Sequence, residues 1–442
     1  MKRYLLPASF LLCLCACGSP DLTSLSTSAV EKVRFNALIS CLGDAAQPAD
    51  LIEDETFEVI DYFGEVASLG HPDLGKSQLG DPWCLLTVDV QGYSADEAFR
   101  KLKDALDTEP DVMLRVLSRE SKRHKQDRGL RSFDPGCRDL GEFNQEASSA
   151  LPIEVRDLRA QLGVGNSQLK GQGITVAMLD GGVQQPDFTK RSRAASFSRS
   201  FLAPDYPTAS GTRHAIEDGF DCEQTPYKDA HGSLVSEIIR SIAPDANQVM
   251  FKVCDDEGYC PDSSIAKALL YLSNDYRGFP TIDVLNMSFG GDLAQEDLIL
   301  RALLERMTGM NHETLIVASI GNDTGASNHY PADYYDLHKG MIPVAAAKKT
   351  GQEWQLAEFN PPAVIDHTQE KMLAAPGVRL KLTQGNPEGV TGTSFAAPVV
   401  SAVAALERQH RPAYNTTAMS LHMNLLNQAG TLGAFKFVHF RE

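Results

Sequence analysis

The chain has 442 residues, of which 43% are hydrophobic and 22% charged, so it holds the apolar material for a large core and more length than one small domain uses. A formal net charge of -17 excludes nucleic-acid binding as its main task, because phosphate recognition needs concentrated Lys and Arg. The acidic balance reads as solubility.

Lys2 and Arg3 precede an apolar stretch, Leu5 to Leu14, that is too short to cross a bilayer as a helix and reads as an export signal over residues 1–16. The stretch ends in Leu14-Cys15-Ala16-Cys17 followed by Gly18. This resembles the lipobox of bacterial lipoproteins, which implies that Cys17 is the lipidated first residue of an exported chain held at the bacterial cell envelope. No later stretch is apolar for long enough to form a transmembrane helix. In an oxidising compartment the six cysteines that follow, Cys41, Cys84, Cys137, Cys222, Cys254 and Cys260, favour disulfides over free thiols. Cys254 and Cys260 bracket a short polar loop and are expected to pair; zinc lacks a second close pair, and the other connections stay open.

Residues 17–35, rich in Ser, Thr and Leu without a clear period, suit a tether behind a lipid anchor. Residues 36–118 read as a small αβ unit. Leu85 to Val90 is a strand-like run, and Ser94 opens a capping box with Glu97. Phe99, Leu102 and Leu106 follow at helical spacing, Pro110 stops the helix, and Val112, Leu114 and Val116 alternate as in a strand. From Arg119 to Arg131 the chain is basic and polar, so residues 119–144 are expected to form a solvated linker and a natural place for processing.

Residues 145–442 form the large domain. Apolar runs at Ile174–Leu179, Gln248–Val253, Val284–Met287, Leu315–Ser319 and Met341–Ala346 alternate with helical stretches, one of them after His231. A further apolar stretch covers Ile265 to Leu272. The alternation predicts an α/β fold with a mostly parallel sheet flanked by helices, whose ligands sit at the carboxyl ends of the strands.

Four residues stand where that architecture places chemistry. Asp180 ends an apolar strand before Gly181-Gly182, and an Asp there is by default a turn residue. His231 opens a helical run in Asp229-Ala230-His231-Gly232-Ser233, where a lone His is usually structural. Ser394, in Gly392-Thr393-Ser394-Phe395-Ala396-Ala397-Pro398, precedes an apolar helix and reads either as part of an ordinary N-cap or as a hydroxyl whose backbone N–H can meet a developing oxyanion. Asn322 follows a buried strand between Gly321 and Asp323, where Asn is by default a turn residue, but its amide is also a preorganised donor at the same edge.

Taken together these segments resemble the subtilisin-like (subtilase) family over about 290 residues, from near Leu151 to the C-terminus. Leu179-Asp180-Gly181-Gly182-Val183 is similar to the family's Asp motif, His231-Gly232-Ser233 to its His motif, Ser319-Ile320-Gly321-Asn322 to its oxyanion motif, and Gly392 through Pro398 to its Ser motif. Ile242 through Ala246, Asn286 through Gly291, Tyr330-Pro331-Ala332 and Ala375-Pro376-Gly377 fall in the expected order between them.

The resemblance implies a serine endopeptidase in which Asp180, His231 and Ser394 form the triad and Asn322 helps hold the oxyanion, with no cofactor required for the chemistry. It implies that Ser288, Phe289 and Gly290 form an edge strand against an extended protein or peptide substrate, with large or apolar side chains as the default preference. It implies that the αβ unit is a propeptide, an intramolecular inhibitor that carries the lipid until it is cut off. Asp187 matches a position that binds calcium in some relatives; the other ligands are not placed by the sequence, so a structural calcium stays open and no metal site is assigned. The chain departs from the family at Leu234, where His is usual, at Glu237, where Gly is common, and at Phe395, where Met is frequent. Two other readings are a catalytically silent peptide-binding protein on the same fold and an acid-active Ser-Glu-Asp peptidase. The complete set of motifs opposes the first and His231 the second.

Overall fold

The structure is a computed structural model that describes residues 32–40, 56–63, 83–108, 113–119 and 122–125. From residue 150 onward it describes most of the chain, the longest segments left out being 185–197, 203–215 and 218–230. The export signal, Cys17, Cys41, Cys137, Asp187 and Cys222 lie outside the described residues.

The N-terminal unit is an antiparallel sheet of β1 (Lys32–Ser40), β2 (Phe57–Phe63), β3 (Trp83–Gln91) and β4 (Leu114–Arg119) in the order β2-β3-β1-β4, with helix α1 (Ala95–Thr108) across one face. Helix α1 begins directly after Ser94 and buries Ala98, Leu102 and Leu106 against Val33, Phe35, Ala37 and Val88. Strand β1 starts at Lys32, so the last four residues of the expected tether belong to the sheet. The alternation of Val33, Phe35, Ala37 and Ile39 toward α1 is the signal for it.

The other face of this sheet docks on the large domain. Leu38 and Leu85 enter the core that contains helices α3 (Asp262–Ser273) and α4 (Leu298–Gly309). Phe63 meets Phe201 edge-on at 5.7 Å, Asp61 pairs with buried Lys267 of α3, and Arg306 of α4 lies over the Trp83 ring at 4.5 Å. The basic run expected as a solvated linker continues this docking: Lys122–Lys125 is strand β5, antiparallel to β8 (Tyr259–Pro261) on one side and to β10 (Phe289–Gly290) on the other.

The large domain is built on a ten-stranded sheet. Its centre runs β13 (Leu373–Pro376), β12 (Met341–Thr350), β11 (Leu315–Ser319), β9 (Val284–Met287), β6 (Thr175–Asp180) and β7 (Asn247–Lys252), every neighbouring pair parallel. Strands β6, β9 and β11 are buried on both faces, which is why their sequences are nearly continuous apolar runs. Successive residues of β6 feed two cores: Val176 and Met178 face helices α2 (His231–Ile242) and α5 (Thr393–His410), while Ala177 and Leu179 face α3 and α4. The stretch Ile265–Leu272 is thus helix, and β12 runs beyond Ala346 to Thr350. Cys254 and Cys260 are joined as expected, and Cys84 is also disulfide-bonded. Among the described residues no helix is long and apolar enough to cross a membrane.

One ion-pair cluster gives the N-terminal unit an acid limit. Burial opposes the ionisation of Asp89, but Arg34 at 2.6 Å and Lys32 at 2.8 Å outweigh it, and the carboxyl titrates below its ordinary 3.8. A depressed carboxylate adds stability above the ordinary value, and that stability is lost as pH falls through the folded one. Thermal unfolding of the full chain followed by circular dichroism should therefore fall off below about pH 4. Asp89→Asn should flatten that slope and cost about 2 kcal/mol at neutral pH.

Candidate active site

Asp180 is the last residue of β6 and His231 the first of α2. The imidazole Nδ1 lies 2.9 Å from both Asp180 carboxylate oxygens, with both side chains buried. The Gly181 N–H also donates to Asp180 Oδ1, at 2.6 Å, which fixes the carboxylate plane. Gly232 explains how the helix comes so close: a Cβ there would stand 2.1 Å from the Gly182 carbonyl oxygen, so only glycine lets α2 start beside the end of β6.

Ser394 is the second residue of α5 and fully buried. Its hydroxyl donates to the Ser288 carbonyl oxygen at 3.1 Å, and the Ser288 hydroxyl donates to the Ser394 carbonyl oxygen at 2.8 Å. Asn286, at the end of β9, donates to the Ser288 hydroxyl and accepts from Ser401 of α5, both at 2.9 Å. The segment after β9 and the first two turns of α5 are thereby stitched together. The Phe395 ring lies 5.3 Å from the His231 ring, so the serine-bearing and histidine-bearing helices meet at these neighbours.

Asn322 follows β11 and completes the edge. Its Oδ1 accepts from the Thr393 backbone N–H at 2.8 Å and from the Thr393 hydroxyl at 3.0 Å. These bonds tie Asn322 to the N-terminus of α5, where backbone N–H groups and the helix dipole favour negative charge. Of Ser288, Phe289 and Gly290, the last two form strand β10, and Ser288 directly precedes it. In register, Phe289 faces Lys125 and Gly290 faces His124, while Tyr259, Cys260 and Pro261 face His124, Arg123 and Lys122.

The arrangement orients an imidazole by a carboxylate, ties the Ser394 hydroxyl to a carbonyl just beyond β9, and pairs an extended segment between two short strands. Motif reading includes Asn286 and Thr393 in matched segments without giving either a role, and it passes over Ser401 and the β5 segment. Ser401 is visible only as a polar residue inside an apolar run. Leu234 is packed in the core beneath α2, and Glu237 is a buried charged residue on the same helix. Among the described residues no group of three or more His, Cys, Asp or Glu could hold a metal.

The profile of the Subtilase family matches residues 171–439. The thermostable alkaline protease of Halalkalibacterium halodurans is 26% identical over 71% of this chain and 77% of its own length. Subtilisin BL of Lederbergia lenta is 27% identical over 61% of this chain and 88% of its own. The crystal structure of fervidolysin from Fervidobacterium pennivorans superposes with a TM-score of 0.58 at 18% identity, covering 94% of this chain and 61% of that one, a likeness of fold.

The buried stitching predicts a measurable dependence. Asn286→Ala removes one hydrogen bond from each of the Ser288 and Ser401 hydroxyls, and should lower stability by about 2 kcal/mol. It should also slow the reaction of Ser394 with a fluorophosphonate about ten-fold, equivalent to ~1.4 kcal/mol of misplacement. Unchanged labelling kinetics would mean that the network does not position the serine.

Proposed function

The chain belongs to the subtilase family of serine peptidases, and on that footing we propose that it is an exported endopeptidase working through Asp180, His231 and Ser394 with an acyl-enzyme intermediate. The observation that carries this reading is the His231 Nδ1 contact with both Asp180 oxygens, made at the strand edge where α5 presents Ser394.

A serine hydroxyl attacks a peptide carbonyl only if a base takes its proton during attack. With Nδ1 committed to Asp180, Nε2 is the nitrogen of His231 that serves as base, and it later gives the proton to the leaving amine. Asp180 holds the tautomer and stabilises the imidazolium. The carbonyl carbon becomes tetrahedral, and its oxyanion is received by the Asn322 NH2 and the Ser394 backbone N–H. Collapse expels the amine and leaves the acyl group on Ser394 Oγ, and water attacks the ester by the same route in reverse. No step needs a cofactor, and Asp187, the one expected calcium contact, lies outside the described residues.

The N-terminal unit is the inhibitor in this reading. Strand β5 adds to β8 and β10 by main-chain pairing, as an extended substrate does in β-augmentation, so the unit's tail fills the cleft while its sheet rests on α3 and α4. A lipid on Cys17 would hold the uncut protein at the envelope. Cleavage within residues 119–144 would then part the peptidase from the lipid-bearing segment.

Wild-type protein should hydrolyse casein and bind a fluorophosphonate covalently, whereas Ser394→Ala should do neither; equal hydrolysis by both defeats the assignment. Asn322→Ala should lose about a hundred- to a thousand-fold in kcat with little change in KM. For the anchor, Cys17→Ser expressed in a Gram-negative host should leave the membrane fraction, and retention there would exclude lipidation at Cys17.

A further inference from the structure

Two glycines stand beside Ser394, and one imidazole occupies the space between them. A Cβ on Gly290 would lie 2.1 Å from His329 Nε2, and one on Gly321 would lie 3.0 Å from His329 Nδ1. The ring is 4% exposed. Its backbone is pinned: the His329 N–H donates to Asp333 Oδ2 at 2.7 Å, and Tyr330 exchanges two hydrogen bonds with Gly291, each 3.1 Å. Gly321 has φ +107°, a conformation a side-chain-bearing residue rarely adopts. The strand β10, the turn after β11 and the segment 329–331 therefore converge on His329, and neither wall can move outward without breaking its pairing.

The register of β5 tells which residue of a bound peptide points there. His124 faces Gly290 and Lys125 faces Phe289, so the next residue of a peptide in that register faces Ser288. The Ser288 carbonyl oxygen accepts from the Ser394 hydroxyl, so the residue facing Ser288 carries the carbonyl that Ser394 attacks. Residues two apart on a strand share a face, and cross-strand partners share it too. The side chain next to the scissile bond thus projects on the same face as the absent Gly290 side chain, which leads to His329.

Building on the peptidase reading above, we propose that His329 determines specificity by closing the pocket for this side chain. The pocket takes Ala, Ser or Gly before the scissile bond and rejects Phe, Tyr and Leu, against the default expectation of large apolar side chains. The space a long side chain would enter is the space the imidazole fills, and the ring is held from both sides.

The test uses the self-processed full-length protein and two succinyl-Ala-Ala-Pro-X-p-nitroanilides, with X either Ala or Phe. The Ala peptide should be hydrolysed with kcat/KM at least about ten-fold above the Phe peptide, and His329→Gly should reverse that order by accepting Phe. Fluorophosphonate labelling and casein hydrolysis run alongside: loss of both in wild type overturns the peptidase reading itself. Labelled wild type that cleaves the Phe peptide as well as the Ala peptide overturns the pocket assignment, and so does a labelled His329→Gly that keeps the wild-type order. Should His329→Gly fail to fold, the wild-type ratio and the residues preceding the casein cuts decide alone.

Discussion

The site depends on how closely two helices approach the carboxyl edge of the sheet. Helix α2 starts beside Asp180 because Gly232 has nothing to collide with the Gly182 carbonyl, and α5 is buried almost along its whole length. A helix buried on all sides is normally apolar throughout. Here three hydroxyls, on Thr393, Ser394 and Ser401, enter that environment, and each is tied to a neighbouring strand end through Asn322, Ser288 or Asn286. A buried hydroxyl left unpaired costs about 1–3 kcal/mol, so these contacts keep the helix start in one place rather than merely tolerating it there. The same network that permits the burial also sets where the Ser394 hydroxyl stands.

The N-terminal unit follows from a second constraint, the short distance along the chain between its sheet and its tail. Strand β4 ends at Arg119 and β5 begins at Lys122, so once the sheet rests on α3 and α4 the tail has little freedom over where it lies. The sheet-to-helix contact prepays the entropy of ordering the tail, which is how a four-residue strand can pair with β8 and β10. The interface is not optimised for tightness throughout. Trp83 has Arg306 over it at 4.5 Å and Arg115 at 5.0 Å, and burial, with Arg115 adding to it, pulls the Arg306 pKa down. Two like charges against one ring work against docking and are offset by the Asp61–Lys267 pair and the Phe63–Phe201 contact.

What the sequence made legible is what is locally encoded. The strands Val284–Met287 and Leu315–Ser319 stand where their apolar runs place them, because strands buried on both faces must be continuous in hydrophobicity. Asp180, His231, Asn322 and Ser394 could be read because each sits at an element's end within a short glycine-bearing motif, and a parallel sheet brings such ends to one edge. Strand β5 was not legible: Lys-Arg-His-Lys has the composition of a solvated run, and only pairing with β8 and β10, far along the chain, makes it a strand. Strand β1 was missed for a related reason, its polar Lys32, Arg34 and Asn36 masking an apolar alternation that one sheet face buries.

His329 marks the limit of motif reading most clearly. Nothing around it distinguishes it from any polar residue ahead of a Tyr-Pro turn, and its significance arises only where β10 and the turn after β11 close on it. Asp180, His231, Asn322 and Ser394 stand at or beside element ends whose positions follow from the sheet topology. His329 is carried by a connecting segment whose residues answer to no periodicity. Leu234 and Phe395 illustrate the complementary case, substitutions inside the shared frame that fill core volume beside His231 and leave the Asp180–His231 contact at 2.9 Å. In this chain the four motif residues are thus held by the sheet edge itself, whereas His329 is held by a connecting segment tied to that edge through the Tyr330–Gly291 hydrogen bonds.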